Sequence, residues 1–226
     1  MMNSTLKVLS ELVEGRGNIY SFLSGSYLSP PSKETIDLIL DNGFLKGMTE
    51  IFDKSAVHDL VAFTRDFNGD YYELRQEYHN LFVVPAGQYV TPYEAVYRDS
   101  RIIAGSVVKG LLMGESTIDV KRLYKRAGAE ITRDYKDLPD HIGMELLFMH
   151  FLCEREKEAW KAEDESIVLD YLKREQEFIH KHLIQWVPDL CDRICEKTKN
   201  RYFKGIAKIT DAFIRTEDET LNSIFD

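Results

Sequence analysis

Basic residues are in the minority in this chain: 29 Lys and Arg face 38 Asp and Glu in 226 residues, a formal net charge of −9. Such a surface repels a phosphate backbone, and no cluster of Lys and Arg with interleaved aromatics reverses this locally, which argues against nucleic acid as a partner. Cysteine is scarce as well. Cys153, Cys191 and Cys195 are too few and too closely grouped to form the disulfide framework of a small secreted domain, so they read as reduced thiols of a cytoplasmic protein. No hydrophobic run is long enough for a membrane span of roughly 20 residues. The most apolar stretch, Ile102 to Met113, is interrupted by Lys109. The start, MMNSTLKVLSELVEG, lacks a basic opening, an apolar stretch and a small-residue cleavage site. The expectation is a soluble chain, not membrane-embedded, whose mature form begins where the sequence does.

What is present is a globular composition, 44% hydrophobic and 30% charged, patterned for helices. Apolar residues recur at three- and four-residue steps, and sustained period-two alternation flanked by hairpin turns is missing. The fold class predicted is all-α. A first helix spans about Thr5 to Leu28, with Leu9, Leu12, Val13, Tyr20, Leu23 and Tyr27 as core candidates, and ends at Pro30-Pro31. Ser32 caps a short helix to Leu40, and Asp41-Asn42-Gly43 reads as a turn. Helices follow at about Lys54–Phe67 and from Asp70 to Phe82, then a loop from Pro85 to Pro92. Tyr93 to Met113 reads as a helix with internal glycines, and Ser116 to Asp119 as a capping box opening a helix to Ala127. Pro139 suits the first turn of a long helix to about Trp160, with Ile142, Leu146, Met149 and Cys153 as its stripe. Further helices run beyond Glu165, with Pro188 and Asn200 as interruptions. The segment 129–138 is polar and aperiodic and could join two bundles, while a single fused bundle is equally allowed. No repeat is apparent.

Most chemical motifs fail on inspection. Glu177-x-x-His180 has the spacing of a carboxylate-bridged di-iron bundle, but such a site requires a second copy and none of the other histidines supplies one. A solvated helix face is the plainer reading. Cys191 and Cys195 lie one turn apart and could share a metal with His180 or His182, although core packing is the favoured reading of buried thiols. The stretch Gly105 to Gly110 lacks the Lys-Ser/Thr ending of a phosphate loop, and no G-x-S-x-G elbow occurs.

Two clusters remain. Tyr78 to Pro85, followed by Thr91 to Tyr97, brackets a loop with aromatics and prolines and includes the carboxylate of Glu94. It reads either as packing beneath a loop or as a groove for an apolar peptide whose basic side chain pairs with Glu94 or Asp99. Asp137 to His141 stands at a helix start, where an acid caps amides and complements the dipole. The adjacent His141 is not required by that role and could form a polar contact with a ligand.

On four ordered motifs the sequence resembles the TorD/DmsD family of chaperones for molybdenum-cofactor oxidoreductases, related to the NarJ assembly proteins. The motifs are Tyr78-x-x-Leu81-Phe82-x-x-Pro85; Pro92-Tyr93-Glu94-x-x-Tyr97; Pro139-Asp140-His141-Ile142 with Glu145-Leu146 and Phe148-Met149; and His182-Leu183-x-x-Trp186-x-Pro188. The chain departs from the pattern at Thr91, Ala95 and Leu147. The resemblance implies a single-domain, TorD-like bundle of about nine or more helices. It further implies a cytoplasmic binding protein, not an enzyme, that holds the twin-arginine leader and apo catalytic subunit of a molybdopterin oxidoreductase until the cofactor is inserted. Carried over by position, the binding residues are Tyr78, Leu81, Phe82, Pro85, Pro92, Tyr93, Glu94 and Tyr97, with Asp140 and His141 across the groove, and Leu81 and Phe82 would meet the leader's apolar stretch. No catalytic residue, metal ligand or cofactor is implied; some members resemble weak guanine-nucleotide binders, and some form domain-swapped dimers, so either a monomer or such a dimer is allowed. The competing readings are a metalloenzyme built near His180, His182, Cys191 and Cys195, and a scaffold subunit permanently held in a redox complex.

Overall fold

The computed structural model describes residues 4–103, 106–132 and 135–225. Helix α1 (Ser4–Leu28) buries Leu9, Val13, Tyr20, Leu23 and Tyr27, whereas Leu12, expected among them, is 51% exposed. Ser32 Oγ accepts the Thr35 amide at 3.2 Å and opens α2 (Lys33–Leu40). Asp41-Asn42-Gly43 is not a free turn. Asp41 Oδ1 accepts the Gly43 and Phe44 amides at 2.8 and 3.1 Å and so starts α3 (Asn42–Ile51), because an Asx side chain serves an N-cap as readily as a turn. Helix α4 (Lys54–Asp66) is followed by Gly69 at φ +88° and by Asp70, whose carboxylate caps α5 (Tyr71–Phe82) through the Glu73 amide at 2.9 Å.

The largest departure from expectation is at Tyr93 to Met113. Only Glu94–Arg98 is helical there (α6), and the rest forms an antiparallel ribbon of β1 (Ser100–Ile103) and β2 (Ser106–Lys109), with Ser100 opposite Lys109. The adjacent β-branched pairs Ile102-Ile103 and Val107-Val108, set between glycines, favour extended backbone over helix, and Gly110 takes φ +78°. Helix α7 (Glu115–Arg126) has no capping box of its own. Asp99 supplies the cap, accepting the Ser116 amide at 2.9 Å and the Ser116 hydroxyl at 2.6 Å. Helix α8 (Ile142–Lys161) buries the expected stripe, and α9 (Glu165–Phe178) passes through one π-helical turn, Ile179–Leu183, into α10 (Ile184–Lys197), which contains Pro188. Helix α11 (Arg201–Phe225) closes the chain.

The chain forms two compact units. The first comprises residues up to Ser24, Tyr93–Trp186 and residues from Thr216; the second comprises Gly25–Pro92 and Val187–Arg215. Segment 129–138 lies inside the first unit, and residues 133 and 134 of it fall outside the described residues. Rings build much of both cores: Tyr124–Phe148 (4.5 Å between centroids) and Phe148–Phe178 (4.8 Å) in the first, Phe63–Tyr202 (5.5 Å) and Tyr202–Phe203 (4.9 Å) in the second. In the second unit α11 comes so near α4 that a Cβ on Gly205 would sit 2.8 Å from the Leu60 nitrogen. Among the described residues, no helix is long and apolar enough to cross a membrane.

Candidate functional site

Of the ten residues singled out by sequence, five belong to each unit. In the second unit Tyr78, Leu81 and Phe82 are core residues, exposed by 6%, 0% and 8%. Tyr78 donates its hydroxyl to the Tyr27 carbonyl at 2.9 Å, and Phe82 packs edge-on against Tyr78 and Tyr27. The Leu81 carbonyl accepts the Val90 amide at 2.8 Å, which ties the loop back onto α5. Pro92 is buried, and the apolar groups that face solvent here are Pro85, Val83 and Val84.

The first unit brings Tyr93, Glu94, Asp140 and His141 together. Tyr93 and His141 form an isolated antiparallel bridge with their rings 5.3 Å apart, and the Tyr93 hydroxyl donates to Asp137 Oδ1 at 2.7 Å. Neither Asp140 nor Asp137 caps α8. That role falls to His141, whose Nδ1 accepts the Gly143 amide at 3.0 Å. Asp140 instead caps α6: its Oδ2 accepts the Ala95 amide at 3.1 Å and its carbonyl the Glu94 amide at 3.0 Å. Burial lowers the His141 pKa to about 4, in keeping with an Nδ1 that must stay unprotonated to accept. Burial raises the Asp140 carboxyl.

Capping fixes Glu94 at the first position of α6 with no exposed surface. Its two oxygens accept from His182 Nδ1 at 3.1 and 2.9 Å, and it also pairs with Arg98. His182 is carried inward by the π-helical turn and stacks on Phe178 at 5.0 Å. A third carboxyl, Glu145, accepts Trp186 Nε1 at 3.1 Å, and Trp186 lies against Tyr97 with centroids 5.3 Å apart. Burial, then the charges of Glu94 and Asp140, push Glu145 well above the usual carboxylate range. Glu145 and Trp186 were not among the expected site residues, and His182 was expected only as a metal ligand, although the Glu145-Leu146 and His182-to-Pro188 motifs already contained them. Beyond His182 opens a polar cleft of about 670 Å3, lined by Arg98, Ser116, Asp119, Arg122 and Lys181 among others, with Asp119 Oδ2 3.5 Å from His182 Nε2. Such a relay orients the His182 imidazole towards the cleft, where Asp99, Glu115 and Asp119 are the carboxylates within reach of a charge-assisted contact.

Metal ligation has one geometric candidate among the described residues: Cys153, Glu156 and Glu175, whose donor atoms lie within 4.8 Å of one another. A cation already sits there. Arg16 reaches Glu156 (2.9 Å), Glu175 and Glu217 (2.9 Å), and Tyr20 donates to Glu217 at 3.0 Å. Burial raises the Cys153 thiol and so disfavours the thiolate a metal needs. Cys191, Cys195, His180 and His182 form no such set among the described residues. Glu177 pairs with Lys181 at 2.9 Å and with Arg126, as a solvated helix face would.

Comparison with known proteins extends over nearly the whole chain. The family described as nitrate reductase delta subunit matches residues 53–192. The chaperone protein TorD of Vibrio cholerae serotype O1 (strain El Tor Inaba N16961) is 24% identical over 231 residues, covering 99% of this chain and 98% of that protein. A perchlorate reductase assembly chaperone protein of Dechloromonas aromatica is 26% identical over 98 residues, 43% of this chain and 42% of that protein. The crystal structure of a putative redox enzyme maturation protein from Archaeoglobus fulgidus aligns with a TM-score of 0.41 at 18% identity, covering 92% of this chain and 93% of that one.

Proposed function

The chain belongs to the nitrate reductase delta subunit family, which takes in the TorD-type chaperones, and on that premise we propose that it is a cytoplasmic chaperone for one molybdopterin oxidoreductase. It binds the twin-arginine leader and the apo catalytic subunit, keeps the leader from export while the cofactor is inserted, and performs no chemistry of its own. The observation that carries this reading is full-length similarity to a protein named as a chaperone, together with the carboxylate-rich cluster its motifs assemble in the first unit. An arginine pair calls for carboxylates in fork geometry, and a net charge of −9 speeds encounter with a basic peptide.

The proposed binding set is Tyr78, Leu81, Phe82, Pro85 and Pro92 in the second unit, with Tyr93, Glu94, Tyr97, Asp140 and His141 in the first. Because Leu81 and Phe82 are packed inside, leader contact with them requires local opening of the loop at Val90, while Pro85, Tyr93 and Tyr97 reach the surface as they stand. The test is calorimetric titration with synthetic leaders from candidate molybdoenzymes, each beside a control whose two arginines are glutamines. Saturable binding that weakens in the control supports the reading. Failure of every leader to bind overturns it.

A further inference from the structure

Helix α8 opens two apolar side chains to solvent, exposed Leu147 and half-buried Phe151, above the core residues Met144 and Phe148. Met144, Leu147, Phe148 and Phe151 follow helical spacing along one wall of a groove of about 370 Å3, and Tyr124 of α7 and Ile131 complete it. Leu147 is 39% exposed although every other residue from Ile142 to Met149 is buried. Two carboxylates stand at the groove, exposed Glu130 and half-buried Glu154. Glu154 shares Lys157 (3.6 Å) with Glu14, and Arg155, 5.1 Å over the Phe151 ring, is paired with Glu158 at 2.7 Å, so among the described residues acids still outnumber bases at that corner. All of these residues lie in the first unit, and none belongs to the binding set given above.

We propose that this groove docks the apolar stretch of the leader, with Leu147 and Phe151 as the contact floor and Glu130 and Glu154 facing a basic side chain of the same peptide. The proposal rests on the chaperone reading and gives the leader a surface that needs no opening of the fold. Charge selects the occupant. A second copy of this chain carries the same −9 and would bring carboxylate towards carboxylate, whereas a peptide joining an apolar run to arginines satisfies both halves of the groove.

The experiment uses the full chain, a fluorescent synthetic leader and the same leader with its arginines replaced by glutamine. Leu147→Glu puts a charge at a position already open to water, so the fold is retained, as circular dichroism will show. It is expected to weaken leader binding about tenfold or more, the effect of one lost apolar anchor. The double substitution Glu130→Gln/Glu154→Gln is expected to weaken the arginine leader by about two- to fivefold and the glutamine leader not at all. A photo-crosslinker in the leader's apolar stretch should mark residues 144–154. If the leader binds but Leu147→Glu has no effect, or adducts fall elsewhere, the groove assignment is overturned and the chaperone reading stands. If no leader binds the unaltered protein, both are overturned.

Discussion

Asp140 reaches forty-five residues back along the chain to hold the start of α6, its Oδ2 on the Ala95 amide at 3.1 Å and its carbonyl on the Glu94 amide at 3.0 Å. The aspartate therefore positions Glu94, and through it His182, even though its sequence neighbours begin a different helix. Asp140→Ala leaves the buried Ala95 amide without an acceptor and is expected to lower stability by about 1–3 kcal/mol, while Asp140→Asn, which keeps an oxygen there, loses less. Urea denaturation of both variants beside the unaltered protein checks the order. Equal losses would show that the carboxylate charge, not the cap, matters.

His141 gives the protein an acid-sensitive term. Its folded pKa is about 4 against 6.5 unfolded, so its contribution is fully present above pH 6.5 and is lost as pH falls towards 4, by roughly 3 kcal/mol in total. His141→Asn, whose Oδ1 can replace Nδ1 as acceptor of the Gly143 amide, should flatten that acid limb without changing stability much at pH 7. Midpoints of denaturation between pH 4 and 7 supply the comparison.

Glu175 works in the opposite direction. Burial outweighs Arg16 and raises its carboxyl, so the folded state retains a proton that the unfolded state releases near pH 4.5, and stability declines as pH rises through the folded value. Glu175→Gln, a neutral mimic, should remove that decline. Arg16→Met, by contrast, takes the cation from a cluster of three buried acids and should lower stability by about 3–5 kcal/mol at neutral pH. A stable Arg16→Met variant would mean that the acid cluster does not depend on the guanidinium.

Gly205 marks a close approach of α11 to α4 in the second unit. Gly205→Ala sets a methyl 2.8 Å from the Leu60 nitrogen and 2.9 Å from its Cβ. Backbone cannot yield as a flexible side chain can, so a loss of about 1–3 kcal/mol is expected despite alanine's better helix propensity. Thermal unfolding of the variant measures it, and a raised melting temperature would contradict the contact.

Helix ends marked by Pro30-Pro31, Ser32 and Asp70 were legible, because caps and breakers act within a few residues. The β1–β2 ribbon was not, since it is short and interrupted by glycines, and it never shows the long alternation of a half-buried strand. At the site, the helix start at Asp137 to His141 was legible, but which residue caps which helix depends on folding: Asp140 caps α6, and His141, read as free to contact a ligand, is the cap of α8. The Glu94–His182 pair spans 88 residues and involves a π-helical turn, which no local spacing rule announces.

Arg16 meets one of its partners, Glu217, across 201 residues of sequence. Synthesis makes the guanidinium 201 residues ahead of this carboxylate, so the first unit cannot complete its interior charge pairing until residue 217 has been added and released. A chain halted before residue 217 would hold Arg16, Glu156 and Glu175 in a half-built cage open to water, a ready substrate for proteolysis.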